Sequence, residues 1–183
     1  MKINIFVFLF LCCIVTQAQK IASTSKGSIQ FEASVPLFEE IKAVNNNVFC
    51  SITFDTSEIT CNLYVQEFKF KKALMQQHFT SYYLETDRYP KATFIGRIEK
   101  LEYTSLSKKP IKYEMKGIIK VHGKSKPLYC DVWIHKTNDG LTMTTTFILN
   151  TEDFNIEIPA IVASKISKQV TTSLQATLFE HQN

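Results

Sequence analysis

The chain has 183 residues, of which 45% are hydrophobic, and its formal net charge is +4. This charge is spread along the sequence without a basic block, which argues against nucleic acid or an anionic membrane surface as the main partner. The length suits one domain with a sizeable core. We see no internal repeat, linker or low-complexity tract in the sequence that would indicate a second domain.

The first 18 residues have the plan of a secretory signal peptide. Lys2 precedes an apolar run from Ile5 to Val15, and a cleavage region with small residues ends at Ala18. The apolar run is too short to span the ~30 Å hydrocarbon core of a bilayer. We therefore expect residues 1–18 to be removed and residues 19–183 to form a periplasmic or secreted domain without stable membrane insertion.

Alternation of apolar and polar residues dominates the rest of the chain. It is cleanest from Ile111 to Val121, and turn residues around Gly123 and Gly140 separate this segment from two further alternating segments. The pattern predicts a meander of antiparallel strands. In all, eight strands are predicted, at 28–33, 47–54, 59–70, 91–103, 111–121, 127–136, 141–150 and 166–179.

Two irregularities interrupt the alternation. The parity of the apolar residues changes near Gln66, which predicts a β-bulge. The segment Lys71–Phe79 contains strong helix formers, with apolar residues at the spacing of one helical face. It predicts a short helix between the third and fourth strands, which continues irregularly until Tyr89-Pro90 ends it.

Each predicted strand has one wet face, which favours an antiparallel barrel or sandwich over a parallel α/β sheet. We expect an all-β fold in which eight antiparallel strands close into a barrel. Such a barrel has an interior wide enough for side chains or for one slender ligand. From the alternation alone, a core filled by side chains is the simpler interpretation.

Three ordered blocks of sequence resemble the YceI-like family. The blocks are Phe68–Phe79 with Tyr89–Gly96, then Gly117–Leu128, then Asp153–Pro159. The resemblance runs from about Gly27 to Leu178. It implies a lipocalin-like antiparallel barrel, exported to the periplasm, with an elongated apolar tunnel for polyisoprenoid or fatty-acyl ligands and no catalytic role. Val35–Ile41 departs from the usual extended start, so the mouth of the cavity is expected to differ.

The resemblance moves the interpretation from a filled core to a partly open cavity. The expected function is an exported binding protein that holds a polyisoprenoid, an isoprenoid quinone or a long acyl chain, with no cofactor. The alternatives are a structural or stress-related envelope protein with a filled core, and a barrel enzyme that acts on a lipid. The inward-facing candidates for ligand binding are Phe54, Leu63, Phe94, Tyr113, Met115, Ile119, Val132, Met143, Phe147, Leu149 and Leu174.

The titratable residues give weaker indications of a functional site. We expect His78, on the short helix, to pack or to form a hydrogen bond, and His122, in a turn, to be exposed. No metal site emerges from the spacing of the histidines. Glu85 and Asp87 beside Arg88 could serve as acid and base, but a solvated charge cluster is the favoured interpretation.

Three cysteines follow the predicted signal peptide, namely Cys50, Cys61 and Cys130, and each falls on the inward parity of its strand. If Phe54 pairs with Ile59, the first two cysteines lie one diagonal step apart, about 7–8 Å. That separation is beyond comfortable reach of a disulfide. We therefore expect three buried, reduced cysteines. A register tighter by two residues would place Cys50 opposite Cys61 and permit a bridge.

Two large aromatic residues point outward from the sixth predicted strand. Tyr129 and Trp133 lie on the face opposite to Cys130. They either pack beneath the helix or a loop, or form an association patch that would support a homodimer. Burial under the helix is the favoured interpretation.

Overall fold

The computed structural model describes residues 19–182, so the predicted signal peptide lies outside the described residues. Within them the strands are β1 (Lys20–Ser34), β2 (Lys42–Thr53), β3 (Glu58–Tyr64), β4 (Lys69–Phe70), β5 (Lys91–Ile98), β6 (Ile111–Val121), β7 (Lys124–Lys136), β8 (Leu141–Asn150) and β9 (Ile166–Gln182). The helical elements are α1 (Ala73–His78), a π-helical turn at Phe79–Tyr83, and 3₁₀ turns at Val65–Glu67, Tyr103–Ser105 and Thr151–Phe154. No helix in residues 19–182 has the length and apolar character needed to cross a membrane.

The sheet closes on itself. Its strand order is β1-β9-β8-β7-β6-β5-β3-β2, and β1 also pairs with β2, with every pairing antiparallel. The two-residue strand β4 is an addition to β2, where Phe70 pairs with Ala43. The expected all-β, eight-stranded antiparallel barrel is therefore confirmed, and so is the short helix between its third and fourth strands.

The predicted β-bulge near Gln66 is wrong. The third strand ends at Tyr64, and a 3₁₀ turn at Val65–Glu67 leads into β4. The backbone N–H of Phe68 donates to the carbonyl oxygen of Val65 at 3.3 Å and closes this turn. The N–H of Val65 donates to the carbonyl oxygen of Pro90 at 2.9 Å, which is the last contact of the third strand with the segment before β5. The change of parity seen in the sequence is this change of direction.

The turn between β6 and β7 is tighter than the sequence suggested. Val121 pairs with Lys124, so the turn contains only His122 and Gly123. Both have positive φ, 48° and 72°, as the commonest two-residue hairpin turn requires. As a result, β7 begins before Pro127 and the meander β6-β7-β8 is continuous.

One half of the barrel interior is filled. Five inward side chains there have 0% exposure, namely Val132, Ile134, Leu141, Met143 and Leu178. The segment that follows β5 supplies further buried residues, Leu101 and Leu106. In the same segment, the ring of Tyr103 packs edge-on against Phe54 at 5.1 Å between centroids.

At the other end of the barrel, the helical segment packs across the interior. Phe79, which follows α1, is buried among three aromatic rings of β1 and of the segment around β4. The helix therefore does not cover the outer wall. Tyr129 and Trp133 on β7 are 74% and 46% exposed. The expectation that they lie under the helix is wrong.

Cys50 and Cys61 form a disulfide, and the expectation of three reduced cysteines is wrong. Thr53 pairs with Glu58, which places the two cysteines directly opposite each other, with their Cα atoms 4.2 Å apart. Phe54 lies beyond this pairing and begins the turn, because its carbonyl oxygen accepts from the N–H of Ser57 at 3.2 Å. Its own N–H donates to the carbonyl oxygen of Lys20 on β1 at 3.0 Å. The turn thus occupies residues 54–57, and β2 pairs with β3 in the tighter register.

The disulfide predicts the number of free thiols. In the chain from residue 19 onward, thiol titration of denatured protein should detect one group without reductant and three after reduction. The single thiol is that of Cys130, whose pKa is raised by burial, so it should react slowly with alkylating reagents in the folded protein. Three thiols without reductant would contradict the bridge.

Candidate functional site

A cavity of about 550 Å³ occupies the unfilled half of the barrel. Its volume lies within the range of ~300–1,000 Å³ common for small-molecule sites. The wall is mainly apolar, and strands, helix and loops all contribute to it. The strands supply Ile29, Phe31, Ala33, Leu63, Phe70, Ala92, Ile119, Val121, Phe147, Leu149, Ile166, Val170 and Thr172, and the helical segment and loops supply Phe38, Val65, Phe68, Met75, Phe79, Tyr83, Leu84, Phe154, Ile156, Ile158 and Val162.

The eleven residues predicted for ligand binding divide into three groups along the barrel. The cavity wall contains Leu63, Ile119, Phe147 and Leu149. A second, smaller cavity of about 70 Å³, which shares several wall residues with the first, is lined by Phe94, Met115 and Leu174. The remaining four, Phe54, Tyr113, Val132 and Met143, lie in the closed core. Alternation therefore identified the inward face but not the height of each residue along the barrel.

Sequence reasoning missed an aromatic cluster at the cavity. Its members are Phe31, Phe68, Phe70 and Phe79, with ring centroids 5.1–5.7 Å apart. Such edge-to-face and stacked pairs add to the stabilisation from burial. The available signal was the pair Phe68 and Phe70 just after the change of parity. Their position at the cavity depends on the 3₁₀ turn, which the sequence did not reveal.

Two glycines shape the inner end of the open half. Gly96 and Gly117 face each other across β5 and β6, on the inward side. A Cβ atom on either would lie 2.6–2.7 Å from Cζ of Phe94. Because both lack a side chain, the Phe94 ring can lie flat against the sheet. This position of the ring leaves the small second cavity between Phe94 and the wall residues that both cavities share.

Polar side chains are a minority in the cavity wall. Glu39, His78 and Lys165 lie on the helix and loops, and Asn150, Ser167 and Thr172 lie on β8 and β9. Deeper, Thr151 is 9% exposed, and its Oγ1 is buried without a hydrogen-bond partner among the described residues. An unpaired buried hydroxyl is unfavourable unless something else supplies a partner. Thr151 is therefore a residue of the cavity wall whose hydroxyl is left unpaired by the described residues.

A buried histidine connects two segments of the cavity wall. The ring nitrogen Nδ1 of His122 lies 2.9 Å from the carbonyl oxygen of Phe154, and Nε2 lies 2.8 Å from the carboxylate of Glu85. The ring also packs edge-on against Tyr89 at 4.5 Å. His122 is only 9% exposed, so the expectation of an exposed turn residue is wrong. The tight turn directs this side chain back beneath the loops.

The other titratable residues singled out from the sequence lie at the surface. Asp87 and Arg88 are exposed, and the Arg88 guanidinium lies 5.1 Å from the centroid of the Tyr89 ring. His78 is exposed as well, with an edge-on aromatic contact of 5.6 Å to Tyr82. Glu85 differs from its neighbours in sequence because it contacts His122.

Replacement of His122 should loosen the cavity wall. His122→Ala removes both hydrogen bonds and leaves the Phe154 carbonyl and the Glu85 carboxylate without this partner, at a cost of about 1–3 kcal/mol. Urea unfolding should show the loss as a lower midpoint. The matched control is His181→Ala, at an exposed position on β9. Equal midpoints for the two variants would contradict the connecting role.

Comparisons with known proteins agree with this architecture. A polyisoprenoid-binding domain from Saccharophagus degradans, described as implicated in plant cell wall breakdown, has a TM-score of 0.74 at 12% identity, covering 91% of this chain and all of the other. BcnA from Burkholderia cenocepacia has a TM-score of 0.68 at 15% identity, covering 84% and 95%. A YceI protein from Campylobacter jejuni has a TM-score of 0.62 at 14% identity, covering 81% and 90%.

At these identities the solved structures establish the fold alone, and a search of curated proteins gives no match. The family comparison is more direct. The model for the YceI-like domain matches residues 21–178, which is nearly all of the described chain. The three sequence blocks that resemble this family lie within that span. The chain therefore belongs to the YceI-like family.

Proposed function

We propose that this protein is an exported binding protein that holds an elongated apolar ligand in the open half of its barrel. The observation that carries the proposal is the cavity of about 550 Å³ with its mainly apolar wall. The signal-peptide pattern of residues 1–18 supports export to the periplasm or the cell exterior. The protein acts by binding and not by catalysis.

Desolvation supplies the affinity. Each methylene group moved from water into the cavity contributes about 0.8 kcal/mol, so ten buried carbons contribute about 8 kcal/mol before the cost of association. Association itself costs at least about 4 kcal/mol, so a Kd of about 1 μM, a net ~8 kcal/mol, requires about fifteen buried carbons. Because this contribution is not directional, a chain can bind tightly with few polar contacts. Met75 on α1 adds an adaptable surface to the wall.

The ligand chemistry that we favour is a polyisoprenoid, an isoprenoid quinone or a long acyl chain. The description of the Saccharophagus degradans structure as a polyisoprenoid-binding domain supports this choice. The aromatic cluster of Phe31, Phe68, Phe70 and Phe79 suits it as well, because flat rings pack against the sides of an unsaturated chain. The closed half of the barrel restricts the ligand to a chain that enters from the helix end.

Thr151 supplies the polar contact within the cavity. Its Oγ1 is unpaired but buried, so a rotation of this side chain toward the cavity would let it donate to, or accept from, an oxygen of the ligand. The backbone around Thr151 is fixed to the loop that follows it, because the N–H of Ile156 donates to the carbonyl oxygen of Thr151 at 3.0 Å. We therefore propose that the preferred ligand carries an alcohol, carbonyl or carboxyl oxygen that reaches this hydroxyl.

The alternative function is that of an envelope protein with a filled core, and only the closed half of the barrel favours it. In that half, Val132 and Met143 have 0% exposure, and the interior there leaves no room for a ligand. The exposed Tyr129 and Trp133 on β7 would serve such a protein as contact residues. The open half of the barrel is what favours ligand binding over this alternative.

Narrowing the cavity tests the proposal. Val170 on β9 lines the cavity, and its neighbour Thr171 is exposed on the outer face. Val170→Trp should weaken binding of a fluorescent polyene fatty acid by about tenfold or more, equivalent to about 1.4 kcal/mol. Thr171→Trp, the matched control, should bind like the parent. Urea unfolding verifies that both variants fold. Unchanged binding in Val170→Trp would place the ligand elsewhere.

Thr151→Val tests the polar contact. Valine has nearly the shape of threonine but lacks the hydroxyl, so the variant should lose only the preference for oxygenated ligands. The ratio of affinities for a long-chain alcohol and for the corresponding alkane should fall by about tenfold, the equivalent of one hydrogen bond of ~1 kcal/mol or slightly more. Competition against the fluorescent fatty acid measures both affinities. An unchanged ratio would show that Thr151 makes no polar contact with the ligand.

A further inference from the structure

Exposed apolar side chains surround the open end of the barrel. In three separate segments, a residue of the cavity wall is preceded by an apolar residue that points into solvent. The wall residues are Phe38, Met75 and Val162. The residues before them, Leu37, Leu74 and Ile161, are 103%, 62% and 86% exposed. We call these three exposed residues the rim.

Two ion pairs connect two of the three segments that carry the rim. Lys71, just before α1, contacts Glu40 at 2.6 Å, and Lys72 contacts Glu39. These pairs connect the loop that carries Leu37 to the helix that carries Leu74. The third rim residue, Ile161, belongs to the loop that supplies Val162 and Lys165 to the cavity wall. All three side chains therefore surround one opening.

Leu37 is exposed in an unusual backbone conformation. Its φ is 72°, in the left-handed region that glycine and asparagine adopt readily and that leucine rarely adopts. A solvent-facing turn has no need of a leucine at such a position. The Leu37 side chain adds no burial to the fold, so apolar contacts for it come from outside the protein.

We propose that the rim docks transiently on the surface of a lipid bilayer and so brings the mouth of the cavity to the membrane. The inference rests on the proposed function for its cargo, since an apolar chain that leaves a bilayer directly into the cavity avoids water. Leu37, Leu74 and Ile161 enter the region between headgroups and acyl chains. Interfacial binding of this kind increases with the apolar area that is inserted.

The charge around the rim suits phosphate headgroups. The segments 35–42, 71–83 and 157–168 contain five lysines and three glutamates. Three of these lysines are already paired with carboxylates, Lys71 with Glu40, Lys72 with Glu39, and Lys168 with Glu152, which lies outside the three segments. Lysines close to apolar tips can extend along them to the headgroups while the tips are inserted. The small positive excess assists docking on anionic lipid, and the apolar residues provide most of the attraction.

A bilayer fits the rim better than a protein partner does. The three apolar side chains come from different segments, and charged residues lie between them, so they do not form one continuous apolar face of the kind found at the centre of protein interfaces. A fluid surface accommodates separate tips. A bound protein would also cover the mouth through which the ligand must pass.

The test compares two double variants with the parent. Leu37→Ser/Ile161→Ser removes apolar side chains at the rim. The matched control, Ile95→Ser/Ile118→Ser, removes two apolar side chains that are 63% and 51% exposed on the barrel wall, where they pair across β5 and β6. Each protein, free of ligand, is floated with vesicles of phosphatidylethanolamine and phosphatidylglycerol. We expect the rim variant to lose about tenfold or more in partitioning and the control to stay close to the parent.

Two further measurements separate the possible failures. Affinity for the fluorescent fatty acid in solution should be the same in all three proteins, because none of the four substitutions lies in the cavity wall. If the parent does not bind the fluorescent fatty acid, the proposed function is wrong, whereas the docking proposal is still supported by partitioning. No partitioning by the parent, or an equal loss in both variants, would overturn the docking proposal. A parent that sediments as a dimer, and that becomes monomeric only with the rim substitutions, would also overturn the docking proposal, because the rim would then be a contact between two copies of the chain.

Discussion

The closure of the sheet between β1 and β2 is the constraint on which the rest of the structure depends. Once Ala22 and Gln30 on β1 pair with Ile52 and Val44 on β2, each of the eight barrel strands has a neighbour on both sides. A closed barrel has an interior of nearly fixed width, set by the number and tilt of its strands. The sizes of the inward side chains then decide where that interior is filled and where it is open.

Those side chains differ between the two halves. The closed half combines large aliphatic residues with the packed pair of Phe54 and Tyr103. In the open half, the smaller residues Ala33 and Ala92 face inward, and the flat position of Phe94 over two glycines leaves additional space. The helical segment adds Phe79 to the wall without filling the interior. The cavity follows from this asymmetry.

The sequence predicted all eight barrel strands because each has one wet face, and alternation reports that face directly. It placed the first strand only at 28–33, whereas β1 spans Lys20–Ser34. It could not assign heights along the barrel, so Tyr113 and Met143 were grouped with Phe147 although only Phe147 reaches the cavity. Its other errors involve contacts between segments. The Cys50–Cys61 bridge depends on the register of β2 against β3, and the burial of His122 depends on two loops that follow other strands. Local pattern carries no information about such contacts.

If ligand occupies only the open half of the barrel, a crystal structure of the complex will show it there. Crystals grown with a long-chain alcohol that carries a terminal bromine would show the chain and, by anomalous scattering, its end. We expect a single ligand chain among Phe31, Phe79 and Leu149, with its hydroxyl at Thr151 and no ligand density beyond Phe94. A chain that extends past Phe94 to Met143, or one bound on the outer wall beside Trp133, would contradict this expectation.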